Sequence, residues 1–211
     1  MSTRIAVLVS GGGTNLQALI DAQLAGKFKD GYIAAVVSTK EGAYALERAA
    51  RVGIPGYVVA RKEYDSNRGL TKAMVAKLKE LEIDLVVLAG CMVVFTEELV
   101  QAYPNAIMNV HPALIPSFCG VGYYGLHVHE KALAYGVKVS GATVHFVSEE
   151  CDGGPIIAQQ AVPVLEGDTP EMLQRRIMEQ AEWKLLPEAV ALFCQGRLRV
   201  EGRTVIIRQE D

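Results

Sequence analysis

The chain of 211 residues holds a single tryptophan and four cysteines, and only 7% of it is aromatic. The cysteines, Cys91, Cys119, Cys151 and Cys194, lie far apart and form no C-x-x-C pair. That scatter argues against a disulfide framework and against a cysteine zinc site. No block of five basic residues occurs, and the formal net charge is −3. A nucleic-acid footprint is therefore not visible. No apolar run approaches the length that spans a bilayer. The opening "MSTRIAVLVSGGG" has too short an apolar run for a signal peptide and lacks a small-residue cleavage pattern after it. The expectation is a soluble, cytoplasmic protein with small-molecule partners and neither a membrane nor a nucleic-acid partner.

What the chain does have is core. Half of its residues are hydrophobic, enough for one sizeable core in one domain. Strand-like runs at 4–9, 32–38, 57–60, 84–90 and 106–110 alternate with helical patterns at 16–26, 43–53, 69–81 and 96–103, the last with Thr96 as N-cap. This rhythm predicts an α/β fold: an open, mostly parallel, Rossmann-like sheet with helices on both faces. Beyond residue 136 the pattern changes. Extended runs at 137–147 and 155–164 flank "SEECDGG", adding antiparallel strands toward the C-terminus. A long helix is expected at 169–196, capped by Thr169, begun by Pro170 and kinked at Pro187. A hairpin at 197–208, turning near Glu201 and Gly202, closes the chain. Ligands of such sheets sit at the carboxyl ends of the strands. That rule brings together the loops 10–15, 90–95 and 109–116.

Four stretches carry candidate chemistry. "SGGGTNLQ" offers three glycines, the donors Thr14 and Asn15, and a helix start, a combination that suits a phosphate monoester. It lacks GK[ST], and Leu16 stands where a dinucleotide fingerprint needs glycine. The bland alternative is a capped Gly-rich turn. "MNVHP" places Asn109 and His111 two apart, on one side of a strand. An amide donor beside an imidazole suits the oxyanion of acyl transfer, and a satisfied corner histidine is the competing reading. "CDGGP" is either an ordinary Asp-Gly turn or the carrier of a carboxylate, Asp152, that supports His111. His127 and His129 begin a helix, where residues two apart do not face each other, and no third ligand is spaced nearby. His145, in a strand, reads as packing, and no metal is expected.

These motifs, with "IAVLVSGGGTNLQALID", "DLVVLAGCM", "GLHVHEKAL" and "SGATVHFVSEECDGGPII", resemble the phosphoribosylglycinamide formyltransferases of purine biosynthesis, in order and over nearly the whole chain. The resemblance implies formyl transfer from 10-formyltetrahydrofolate to the amine of glycinamide ribonucleotide, with the folate as cosubstrate. It implies phosphate binding by Gly13, Thr14 and Asn15, ribose binding by Glu182, and a catalytic trio of Asn109, His111 and Asp152. On the folate side it implies Met92, Val93, Val94 and Phe95 together with Asn109, and a pterin wrapped by the loop 148–152. It also implies one formyltransferase domain over 1–211. Residues 1–105 then serve the phosphate, and 106–211 catalysis and the folate. A monomer or a homodimer is compatible with it.

Four departures stand out. Val93 and Val94 follow the methionine where many relatives have an arginine. Asn67 occupies the place of a folate-tail arginine, leaving Arg68 one position along as candidate. The Gly- and Tyr-rich loop 117–125 is longer than its equivalent in several relatives, and the helix around Glu182 carries one extra residue. The expected mechanism is direct amine attack, the oxyanion held by Asn109 and by a His111 kept protonated by Asp152. Alternatives are a formyltetrahydrofolate hydrolase, whose family carries an additional N-terminal domain, and a non-catalytic nucleotide-phosphate sensor. A methionyl-tRNA formyltransferase adds a C-terminal tRNA-binding domain, and this chain ends soon after its hairpin without a basic surplus.

Overall fold

The computed structural model describes residues 2–209. Its first strand, β1 (Thr3–Val9), sends Ile5, Val7 and Val9 into one buried cluster and Ala6 and Leu8 into another. Successive side chains of a strand face opposite ways, so a strand apolar at every position needs a cover on both sides. On the first side α1 (Thr14–Leu24) supplies Leu16, Leu19 and Ile20, and α2 (Tyr44–Arg51) supplies Ala45 and Ala49. On the second, α3 (Asn67–Glu80) supplies Leu70, Met74 and Leu78, and α4 (Glu97–Ala102) supplies Leu99. Among the described residues no helix is long and apolar enough to cross a membrane.

Next to β1 lie β2 (Gly31–Ser38) and then β3 (Gly56–Val58); on its other side lie β4 (Leu85–Leu88) and β5 (Ile107–His111), all parallel. The chain order therefore reverses between β1 and β4, which opens a crevice at the carboxyl ends of those two strands. Register aligns the rims. Leu8 pairs with Leu88, and Leu88 with Asn109, so the loops leaving β1, β4 and β5 begin at one level.

After α5 (Leu126–Tyr135) the direction changes. β6 (Val139–Phe146) runs antiparallel to β5, and β7 (Ile156–Pro163) antiparallel to β6. A hairpin of β8 (Leu198–Glu201) and β9 (Thr204–Ile207) extends the sheet through one pair, Ile156 with Thr204. The expected long helix is broken elsewhere than at Pro187. It consists of α6 (Pro170–Ile177), a π-helical turn over Met178–Glu182, and α7 (Trp183–Cys194), which runs through Pro187. A proline ring crowds the carbonyl four residues back, here that of Trp183, so the distortion falls on the preceding turn. A π turn widens the helix by one residue per turn, and here it contains Glu182. Thr169 caps α6 by accepting from the Met172 N–H at 3.3 Å. Thr96 stands at the start of α4, but its hydroxyl bonds the Glu98 carboxylate instead of the helix backbone.

Candidate active site

Strand alternation puts Asn109 and His111 on the same side of β5, and the antiparallel register sets His145 of β6 directly opposite Asn109. The Asn109 side-chain nitrogen lies 3.2 Å from Nε2 of His145. Asp152 enters from the loop between β6 and β7. Its Oδ2 is 3.5 Å from His111 Nδ1, and its Oδ1 is 3.7 Å from His145 Nε2. One carboxylate thus stands between two buried imidazoles. Its backbone has a positive φ of 55°, a conformation that aspartate tolerates better than most residues. The turn that presents it needs glycine at Gly154, where a Cβ would fall 1.8 Å from the Phe146 carbonyl oxygen.

The loop 117–125 closes this side. The Phe118 carbonyl accepts from His111 Nε2 at 2.8 Å, and the Gly120 N–H donates to Asp152 Oδ2 at 2.8 Å. The Phe118 ring packs edge-on against Tyr123 and Tyr135. A carbonyl only accepts, so Nε2 of His111 carries the proton in this state. Burial pushes His111 below its ordinary pKa; the Asp152 carboxylate and the Phe118 carbonyl pull it up without reversing the shift, and His145 adds to the fall. The shift runs opposite to the one expected for a His111 held charged by Asp152. At 3.5 Å the carboxylate acts by charge alone, too weakly to overcome desolvation. Burial raises the Asp152 carboxyl, but His145, His111 and the Gly120 N–H outweigh it and hold it below its usual value.

Across the crevice, Gly13 precedes α1 in a left-handed conformation, φ 73°. Thr14 and Asn15 form the first turn of the helix. The Asn15 amide donates to Glu182 Oε2 at 2.7 Å, which joins the loop after β1 to the π turn. Both residues are buried, and burial pushes Glu182 up to about 7 against the pull of Asn15. The other amide atom of Asn15, Oδ1, is buried without a partner. A cavity of about 390 Å³ opens beside this loop, lined by Thr14, Gln17, Lys27, Arg48 and Trp183 among others; it does not reach His111.

The formyl transferase family model matches residues 3–190. The chain belongs to the formyl transferase family. It is 41% identical to the phosphoribosylglycinamide formyltransferase of Haemophilus influenzae, over 94% of this chain and 90% of that one. With the Escherichia coli protein of the same name it shares 39%, over 93% and 89%. The crystal structure of glycinamide ribonucleotide transformylase 1 from Symbiobacterium toebii superposes with a TM-score of 0.92 at 45% identity, covering 99% of this chain and 95% of that one.

The residues expected on the folate side divide. Met92 and Val94 are well exposed, at 57% and 61%, whereas Val93 and Phe95 pack on the second core cluster. Arg68 pairs with Glu97 at 2.7 Å and with Glu98. The cation beside Asn67 is Arg61, whose Nε donates to Asn67 Oδ1 at 2.9 Å.

Two histidines escaped the sequence reading. The strand pattern of His145 alone suggests packing, because its register against Asn109 is invisible in one strand. His129 is fully buried with both ring nitrogens unpartnered, and burial, with His111 adding, lowers it to about 4. His127, two residues before, is exposed and bonded to Glu130 at 2.8 Å. The two therefore lie on different faces of α5, as the spacing required. Among the described residues no three His, Cys, Asp or Glu side chains group as a metal site does.

Proposed function

We propose that this formyl transferase moves the formyl group of 10-formyltetrahydrofolate onto the amine of glycinamide ribonucleotide, in de novo purine synthesis. The observation that carries this reading is the placement of two sites in one crevice. The Gly13, Thr14 and Asn15 turn, which suits a phosphate monoester, shares the rim with Asn109, His111 and Asp152, which suit an acyl-transfer oxyanion. Holding acceptor and donor side by side removes much of the entropic barrier.

The amine nitrogen attacks the formyl carbon, and the carbonyl π pair moves onto oxygen. Asn109 donates to that oxyanion from its amide, and His111 from Nε2–H. The formyl oxygen takes the position that the Phe118 carbonyl occupies at rest, so the loop 117–125 withdraws when substrates bind. A developing negative charge beside the ring strengthens the bond that His111 donates from Nε2–H, while Nδ1 stays turned toward Asp152. Asp152, ionised at rest, takes a proton from the attacking nitrogen through a water, and that proton passes to the folate nitrogen as its C–N bond breaks. Glu182 and Asn15 meet the ribose and phosphate, and Met92 and Val94 offer the folate an apolar lip. We place the enzyme in the cytoplasm, where its four free thiols stay reduced, as a monomer or homodimer.

A formyl-transfer assay followed by folate absorbance, with and without glycinamide ribonucleotide, tests the reading. Turnover is expected only with the ribonucleotide. Equal turnover without it identifies a hydrolase, and ribonucleotide binding with no turnover identifies a sensor.

A further inference from the structure

The reading of Gly13, Thr14 and Asn15 as the phosphate site leaves open what shapes that turn. Its backbone is braced from α2. The Ala45 N–H, a free donor in the first turn of α2, bonds the Gly11 carbonyl at 3.1 Å. The Arg48 Nε, one turn on, donates to the Gly12 carbonyl at 2.8 Å. A peptide unit is planar and trans, so its C=O and N–H point in opposite directions. With the carbonyls of Gly11 and Gly12 turned toward α2, the N–H groups of Gly12 and Gly13 turn away from it. The Gly13 carbonyl takes the first helical bond of α1, from Gln17 at 2.9 Å, which directs the Thr14 N–H out of the helix start. Three successive N–H groups are thus aligned as an anion cradle.

Arg48 is itself fixed. Its Nη1 donates to Gln17 Oε1 at 2.9 Å, Gln17 in turn donates to Asp21 at 2.9 Å, and the guanidinium lies 5.1 Å from the centre of the Tyr44 ring. The fit against α2 is close: a Cβ on Gly13 would sit 2.7 Å from the Ala45 Cβ.

We infer that Arg48 is a positioning residue for the substrate's phosphate, holding the Gly12 carbonyl and the Gln17 side chain so that the backbone N–H groups of the turn face the anion. This rests on the proposed phosphate role of the turn. A lysine keeps the charge but cannot span both acceptors with a rigid fork.

The test compares wild type with Arg48→Lys, Arg48→Ala and Lys27→Ala, the last removing a cation from the far end of the same cavity. The readouts are kcat, both KM values, the inhibition constant of inorganic phosphate, and the thermal midpoint. Either Arg48 variant is expected to raise the ribonucleotide KM and the phosphate inhibition constant together, by about tenfold or more. The folate KM is expected to stay within about twofold, and Lys27→Ala to change neither constant. If Arg48→Ala does not fold, Arg48→Lys decides alone. A wild-type phosphate constant in Arg48→Lys, or an equal shift in Lys27→Ala, overturns the positioning role. A wild-type enzyme that turns over but is not inhibited by phosphate overturns the phosphate reading of the turn and this inference with it.

Discussion

The two walls of the crevice are built to different tolerances. On the phosphate side the contacts are close: 2.7 Å from Asn15 to Glu182 and 2.8 Å from Arg48 to Gly12. On the transfer side Asp152 stands 3.5 and 3.7 Å from its two imidazoles, and loop backbone atoms occupy the groups that chemistry needs. Ground-state binding benefits from a finished site. Transition-state donors are of use only when charge develops, and their bonds commonly tighten only with substrate bound. On the proposed mechanism, the wall assigned to the phosphate is prepared by the fold, while the wall assigned to formyl transfer waits for its ligands.

The largest expected effect strikes the transfer wall. His111→Ala is expected to lower kcat by about 100-fold or more and to leave ribonucleotide affinity near normal. Near-normal kcat in steady-state assays of that variant would remove His111 from the mechanism. Asp152→Asn comes next, with kcat reduced by about tenfold or more. Because the carboxylate pulls His111 upward, its loss lets the imidazole titrate at still lower pH. An NMR titration in which His111 does not move breaks the pairing.

Glu182→Gln sharpens the other side of the comparison and has the smallest effect on turnover, a few-fold through the ribonucleotide KM. Its main signature is in stability. The folded carboxyl titrates at about 7 against an ordinary 4.5. Between those values the folded state holds a proton that the unfolded chain has released, so wild-type stability falls as pH rises through that window. Glutamine removes the loss. The variant is expected to exceed wild type by up to about 3 kcal/mol at pH 8, with the pH-dependent part of that difference gone below pH 4.5. Urea unfolding at both ends measures this, and a difference that does not vary with pH refutes burial of an ionisable Glu182.

Much of this was legible beforehand because it is local. Apolar runs such as 4–9 and 84–90 announced buried strands, and glycines marked where α1 and α5 begin or end. Thr169 and Pro170 marked a helix start because a cap needs only neighbouring residues. The break before α7 was misplaced because a proline acts on the carbonyl behind it, and its expression as a π turn depends on packing around Glu182. His145 passed as packing because alternation says which face a residue takes, not which partner faces it. Nothing near Arg68 in the chain announces Glu97 and Glu98 across from it. The sequence shows the loop 117–125 only as a Gly- and Tyr-rich stretch, and its contacts with His111 and Asp152 tie it to the site.

By itself the sequence determined the order of elements, the two-sided covering of the sheet, the phosphate-suited turn at Gly13, Thr14 and Asn15, and the common face of Asn109 and His111. Each follows from periodicity or from the conformational needs of a few adjacent residues. The tertiary structure decided which charges meet and which way burial and pairing move their pKa values. Asp152 reaches two histidines across 41 and 7 residues of chain, Glu182 reaches Asn15 across 167, and burial overrides the charge that pairing alone favours. Desolvation and long-range contact belong to the folded whole, since neither exists until the surrounding chain has excluded water.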